Sequence, residues 1–172
     1  MSTIIRPCVP GDEAALALVG QATFLETYAG ALPAGDIIAH CRTQHGEALY
    51  ADWLKKPGYR LWLAEMEEGA APVGYAALAP PDLPVATGEG DVELKRIYLL
   101  NRFHGGGLGA RLMETALESA AKAGFTRMLL GVFGGNARAI AFYARQGYVE
   151  AGVRRFRVGA NEYDDLVLAR SL

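Results

Sequence analysis

The stretch DVELKRIYLLNRFHGGGLGARLM, from Asp91 to Met113, changes character twice. It opens as a strand, with Val92, Leu94, Ile97, Tyr98, Leu99 and Leu100 apolar, β-branched or aromatic and Glu93, Lys95 and Arg96 set among them. A glycine turn comes next at Gly105-Gly106-Gly107-Leu108-Gly109. Helical periodicity then begins. Leu108, Leu112, Met113, Ala116, Leu117, Ala120 and Ala121 share one face, and Arg111, Glu114, Glu118 and Lys122 share the other. Strand, glycine turn and helix start together make a phosphate cradle. The first N–H groups of a helix lack internal partners and carry the positive end of its dipole. Glycines let those groups close on an anion with no Cβ in between. A phosphate-bearing ligand is therefore expected at His104–Ala110. The competing reading is a turn that only reverses the chain.

Templates for such a loop differ in the residues after the glycines. A Walker loop needs Lys and then Ser or Thr, but Gly109 is succeeded by Ala110-Arg111. The dinucleotide pattern G-x-G-x-x-A fits Gly105, Gly107 and Ala110, but its ribose-holding acid is missing, since no Asp or Glu stands between Glu118 and Glu150. His104-Gly105-Gly106-Gly107-Leu108-Gly109 resembles the Arg/Gln-x-x-Gly-x-Gly/Ala signature of the GNAT superfamily of N-acetyltransferases, with His in place of Arg or Gln. A second stretch, Asn136-Ala137-Arg138-Ala139-Ile140-Ala141-Phe142-Tyr143, resembles that superfamily's Asn-x-x-Ala-x-x-Phe-Tyr motif, with Gln146-Gly147-Tyr148 after it. Glu93-Leu94-Lys95-Arg96-Ile97-Tyr98, Thr23-Phe24 with Glu26-Thr27-Tyr28, and Tyr163-Asp164-Asp165-Leu166 look like the bacterial spermidine/spermine N-acetyltransferase-like branch.

Composition sets the frame. A chain of 172 residues with 51% apolar content suits one well-filled core, read as a single domain over 1–172. No apolar run approaches a membrane span and no leader opens the chain, so a cytoplasmic protein without a membrane partner is expected. Cys8 and Cys41 read as free thiols, and His40, His45 and His104 have no metal-ligand spacing, so no metal is expected. The net charge of −2 hides an asymmetry: residues 95–149 hold eight bases and two acids. That segment suits a polyanionic cofactor, and the acidic remainder suits a cationic substrate. No basic run or binding module for nucleic acid is present.

Along the chain, Thr3–Arg6 reads as a first strand, and Asp12 as the cap of a helix reaching Tyr28. Helical regions come next at Ala34–Arg42 and Gly46–Leu54. Tyr59–Glu65 and Pro72–Ala79 form a hairpin, and Pro80–Gly90 an exposed loop. After the central helix, ended by Gly124, come a buried strand at Arg127–Val132, a short helix capped by Asn136, and strands at Tyr148–Arg157 and Glu162–Leu172. The order βααβββαβαββ is α/β with helices on both faces. The resemblance implies the GNAT fold: a single mixed, largely antiparallel sheet with a splayed pair of central strands.

The resemblance also implies a reaction, the direct transfer of acetyl from acetyl-coenzyme A to a primary amine of a small molecule, with a polyamine as the finer lead. Protein or peptide N-acetylation and a non-catalytic acyl-coenzyme A sensor are the alternatives, and a homodimer is frequent in the family. The backbone of Ile97, Tyr98 and Leu99 would pair with the pantetheine arm, in the gap beside Met128–Val132. His104, Gly105, Gly106, Gly107, Leu108, Gly109 and Ala110 would hold the pyrophosphate, and Asn136 and Phe142 would touch the arm. Tyr143 is expected to protonate the departing sulfur and Glu93 to act as base. By strand parity Glu93 shares a face with Lys95 and Ile97. Phe24, Glu26, Tyr28, Tyr75 and Tyr163 are candidates for the acceptor pocket.

Overall fold

The computed structural model describes residues 2–172. The elements are β1 (Thr3–Pro7), α1 (Glu13–Tyr28), α2 (Ala34–Gln44), α3 (Glu47–Lys55), β2 (Arg60–Met66), β3 (Pro72–Ala79), β4 (Asp91–Leu99), α4 (Leu108–Lys122), β5 (Arg127–Phe133), α5 (Ala137–Arg145), β6 (Val149–Val158) and β7 (Asn161–Ser171), with a 3-10 turn at Asn101–Phe103. The seven strands form one sheet in the order β1-β2-β3-β4-β5-β7-β6. Only β4 and β5 run parallel, so the sheet is mixed and largely antiparallel, as expected.

Two apolar layers flank the sheet. On one face α4 and α5 pack Leu112, Met113, Ala116 and Tyr143 against Val92, Leu94, Met128 and Leu130. On the other, α1 and α3 pack Leu16, Val19, Tyr50 and Trp53 against Leu61, Leu63, Tyr75 and Ala77. The helix face expected to be apolar in α4 is the buried one: Leu112, Met113, Ala116 and Ala120 are fully enclosed.

Several local expectations need correction. The three helical regions read before β2 form α1, α2 and α3, one helix more than the order βααβββαβαββ counts, and Gly46, extended at φ −80° and ψ 154°, separates α2 from α3. Asp12 stands at the start of α1 but makes no capping bond. Its carboxylate instead accepts from Arg6 at 2.8 and 2.9 Å and from the Val9 N–H at 2.7 Å. The Pro80–Gly90 loop is irregular, yet Leu83 and Val85 pack on Leu129, Val167 and Ala169, giving β5 and β7 a cover that no helix supplies.

Strand β4 positions the site through two irregularities. Its pairing with β5 spans only Asp91↔Arg127, Val92↔Met128 and Glu93↔Leu129. Beyond that β5 stays with β7 as far as Phe133↔Asp165, while β4 stays with β3. The two central strands therefore part, and the edge of β4 from Leu94 onward is open. The second irregularity is a bulge opposite Ala77/Leu78, where Arg96 pairs with Ala77 and Leu94 with Leu78, leaving Lys95 as the extra residue. The expected parity fails there. Ile97 packs with Leu94 on the α4 side, whereas Tyr98 joins the α1–α3 side. Glu93 thus shares its face with Arg96 and Tyr98, not with Ile97.

Candidate active site

The splay opens into a cleft of about 1150 Å³ that runs from the glycine turn, between β4 and β5, to the helices of the other face. At its first end the chain turns through Gly105 and Gly107, both at φ +81°, a backbone conformation that favours glycine. No backbone N–H from Gly105 to Ala110 has a partner among the described residues. Helix α4 starts here with no acid in its first turn. A Cβ at Gly105, Gly106 or Gly107 would meet nothing within 4 Å, so this concave run of N–H groups is open to a bulky anion. Arg138 and Arg145 of α5 add positive charge along the cleft. These features fit a pyrophosphate, the group expected here from the sequence.

Ile97, Tyr98, Leu99, His104, Gly105, Gly107, Gly109, Ala110, Asn136 and Phe142 line the cleft. Gly106 and Leu108 do not: Gly106 faces solvent, and the Leu108 side chain packs with Ala64 and Val73. The Tyr98 backbone does not belong to the pantetheine edge either. Because the Leu100 N–H bonds to the Val73 carbonyl, antiparallel alternation turns Tyr98 toward β3 and leaves Ile97 and Leu99 facing the open edge. His104 folds back on that edge, its Nε2–H donating to the Leu99 carbonyl at 2.7 Å. The residue that departs from the family signature thus braces the strand end.

Across the splay, Asn136 caps α5 by accepting the Ala139 N–H at 3.1 Å. Asn136→Ala is expected to cost about 1 kcal/mol and to lower the melting temperature by about 2–4 °C, measurable by calorimetry. Tyr143, about two turns further on, is 8% exposed. Its ring packs against Phe142 and Tyr148. Its hydroxyl has no hydrogen-bond partner among the described residues and stays open to the cleft. Burial, reinforced by the nearby Tyr98 and Tyr148 hydroxyls, pushes this phenol well above its ordinary value, so it is fully protonated at neutral pH.

Glu93 is 2% exposed and reaches the same cleft. One carboxylate oxygen accepts the Asp82 N–H at 2.8 Å and the other lies 3.8 Å from Lys95 Nζ. A second acid, Asp165 on β7, lines the cleft at the mouth of the splay. Its Oδ2 accepts from Arg154 at 2.7 Å while its Oδ1 is buried without a partner. Burial pushes the Asp165 carboxyl up from its ordinary value, against the pull of Arg154.

The acceptor candidates separate in the fold. Phe24, Glu26, Tyr28 and Tyr163 line the cleft. Phe24 stacks on His40 with ring centroids 4.5 Å apart. Glu26 accepts the Asn101 N–H at 2.8 Å, fixing the turn after β4. The Tyr163 hydroxyl donates to Asp36 Oδ2, which also takes Asn161 Nδ2, while Asp36 Oδ1 takes the Ala160 N–H. That carboxylate clamps α2 to the β6–β7 turn. Tyr75 is displaced from the expected pocket: it is fully buried, does not line the cleft, and lies 3.0 Å hydroxyl to hydroxyl from Tyr50. The reason is its parity on β3, which points it under α1 and α3.

Sequence reasoning missed the group above Tyr75. Arg96 Nη1 donates to the Tyr50 hydroxyl at 2.8 Å and lies 3.4 Å from His45 Nδ1. The Tyr50 hydroxyl is itself 3.0 Å from His45 Nδ1. Gly20 makes this possible, since a Cβ there would stand 2.6 Å from the Tyr50 hydroxyl and 2.7 Å from His45 Nδ1. Burial, with Arg96 as a second cause, holds His40 down at about 4 and His45 at about 2. Both rings are neutral near pH 7. Among the described residues no cluster of three or more His, Cys, Asp or Glu side chains could hold a metal, and no helix is long and apolar enough to cross a membrane.

Comparison with known proteins agrees with this geometry. The acetyltransferase (GNAT) family matches residues 23–148. An uncharacterized N-acetyltransferase of Mycobacterium tuberculosis is 37% identical over 161 residues, which cover 94% of this chain and 98% of that protein. The PaiA N-acetyltransferase of Thermoplasma acidophilum, solved in complex with coenzyme A, is similar with a TM-score of 0.81 at 19% identity over the whole of both chains. The ribosomal-protein-S18-alanine N-acetyltransferase of Escherichia coli is similar with a TM-score of 0.71 at 20% identity, over 99% of this chain and 94% of the other. At such identities the two structures speak for the fold alone. The family match covers both motifs and the strands that part between them, and so the chain belongs to the GNAT family of acetyl-coenzyme A-dependent N-acetyltransferases.

Proposed function

We propose that the protein transfers acetyl from acetyl-coenzyme A directly to the primary amine of a small molecule, within a ternary complex. The observation that carries this reading is the single cleft joining the N–H cradle at Gly105–Ala110 to Tyr143 and Glu93. When bound, acetyl-coenzyme A would supply the activated acetyl group. The cradle would hold its pyrophosphate, and Ile97 and Leu99 would offer strand pairing to the pantetheine arm. Glu93, held by the Asp82 N–H, removes the amine proton, and the Tyr143 hydroxyl protonates the departing thiolate. Positioning in one cleft removes the entropic cost of bringing two substrates together.

The acceptor end favours a small molecule over an extended peptide, because the Asp36 clamp ties α2 to the β6–β7 turn across that end. Support for a polyamine is weaker. The lining carries Glu26, Asp82, Glu93 and Asp165 but also Lys95, Arg96, Arg138, Arg145 and Arg154, so it lacks the acidic excess that a polycation calls for.

The test is thiol release from acetyl-coenzyme A against a panel of spermidine, spermine, amino acids, aminoglycosides and a short peptide. Glu93→Gln is expected to lower kcat/KM about 100-fold while leaving acetyl-coenzyme A affinity unchanged by calorimetry. An intact Glu93→Gln enzyme beside an inactive Asp165→Asn enzyme would move the base to Asp165. Turnover of the peptide alone would overturn the small-molecule reading.

A further inference from the structure

Arg96 differs from three other partly buried arginines. Arg6, Arg127 and Arg154 each meet a carboxylate, at 2.8, 2.6 and 2.7 Å. Arg96 has no acidic partner among the described residues. Its Nη1 is engaged by the Tyr50 hydroxyl and His45, and the guanidinium carbon lies 4.6 Å from the centre of the Trp53 ring and 5.5 Å from that of Tyr50. Nε and Nη2 have no hydrogen-bond partner, yet neither is sealed from solvent, and Arg96 lines the cleft. A guanidinium brought out of bulk water without a counter-charge is costly, and aromatic faces and a hydroxyl offset only part of that cost. What Arg96 leaves accessible is the fork formed by Nε and Nη2, whose geometry matches a carboxylate.

The surroundings set the rest of the ligand. Phe24, Tyr28, Trp53, Tyr59 and Phe156 give this half of the cleft aromatic walls. Glu93, on the same face of β4 beyond the bulge, marks where the amine must arrive. We infer that the acceptor is an amine that also carries a carboxylate on an apolar body, and that Arg96 receives this carboxylate through Nε and Nη2. The inference rests on the acetyl-transfer reading for the identity of the reacting group. A polyamine has no group for Arg96 and would meet like charge there.

The probes are N-acetylphenylalanine and N-acetylphenethylamine, product-like molecules that differ only in the carboxylate. Each is titrated into the protein saturated with coenzyme A and monitored by calorimetry and by tryptophan fluorescence. The carboxylate form is expected to bind about 10- to 100-fold more tightly. Arg96→Gln is expected to abolish that difference while coenzyme A still binds. Equal affinities in the wild-type protein, no binding of either probe, or a preference that survives Arg96→Gln would each overturn the inference. The wild-type comparison stands without the variant should Arg96→Gln misfold. Binding is read without turnover, so selective carboxylate binding by a protein that transfers no acetyl would sink the acetyl-transfer reading alone. Acetylation of amines with no regard to a carboxylate would sink this inference alone.

Discussion

Tyr143→Phe is expected to lower kcat about 100-fold with little change in the KM for acetyl-coenzyme A. The substitution removes one oxygen and nothing else that the fold uses. The ring keeps its contacts with Phe142 and Tyr148, and the hydroxyl has no internal partner to lose. Stability should therefore stay within about 0.5 kcal/mol of wild type. The loss is that of a positioned proton for the thiolate, an effect typically of about 100- to 10,000-fold. The raised phenol strengthens the expectation, because burial keeps Tyr143 in its donor form across the working range of pH. Steady-state kinetics at saturating amine reads the result directly. Unchanged kcat would remove Tyr143 from the acid role while leaving acetyl transfer in place.

Mild acid is expected to destabilise the fold more than any single surface change. His40 and His45 titrate near 4 and near 2 in the folded protein, against about 6.5 in an unfolded chain. The unfolded state therefore binds more protons, and stability rises with pH. The contribution is fully present above about pH 6.5 and is lost as pH falls toward the folded values. Between pH 7 and pH 5 each histidine should withdraw about 2 kcal/mol. Together they should lower the melting temperature by about 8–16 °C. The groups packed on the two rings point the same way: Tyr98 is neutral, and each ring, once charged, would repel the other. Phe24 and Phe156 are apolar, Tyr50 and Tyr75 are neutral, and Arg96 repels a new positive charge. Calorimetry across that range checks the slope, and His45→Gln should flatten it by about half. A melting temperature flat from pH 7 to pH 5 would refute the account.

The parts of the site that are legible in the sequence are those fixed by local chemistry. The glycines after β4 and the Asn136 cap act within a turn or two of chain, so their residue types carry the message without the fold. The acceptor half is different. Arg96, Tyr50, His45 and Trp53 meet only because α3 docks against β3 and β4 and because Gly20 of α1 yields room. No spacing along the chain announces that. Tyr75 is hard to place for the same reason, an aromatic strand residue whose face is settled only by the helices that cover it. The open edge of β4 is foreseeable, but not which backbone groups face it, since Tyr98 is spent on β3.

Lys95 has a consequence beyond its own side chain. As the extra residue in β4, it acts as a phase shift, and the strand serves the α4 layer and the acceptor layer with one alternation before it and the opposite one after. Substituting Lys95 leaves that phase intact, and deleting it would leave a regular ladder in which Leu94 still meets Leu78 and Arg96 still meets Ala77; what would invert everything downstream is straightening the strand with Lys95 kept in the alternation. Arg96 and Tyr98 would turn into the apolar layer beneath α4, and Ile97 and Leu99 would turn into the acceptor cavity. The bulge at this one point therefore decides which residues face the acceptor, whatever side chain stands at its centre. An ungapped alignment of Leu94–Ile97 with a strand that lacks the bulge compares residues from opposite chambers of the molecule.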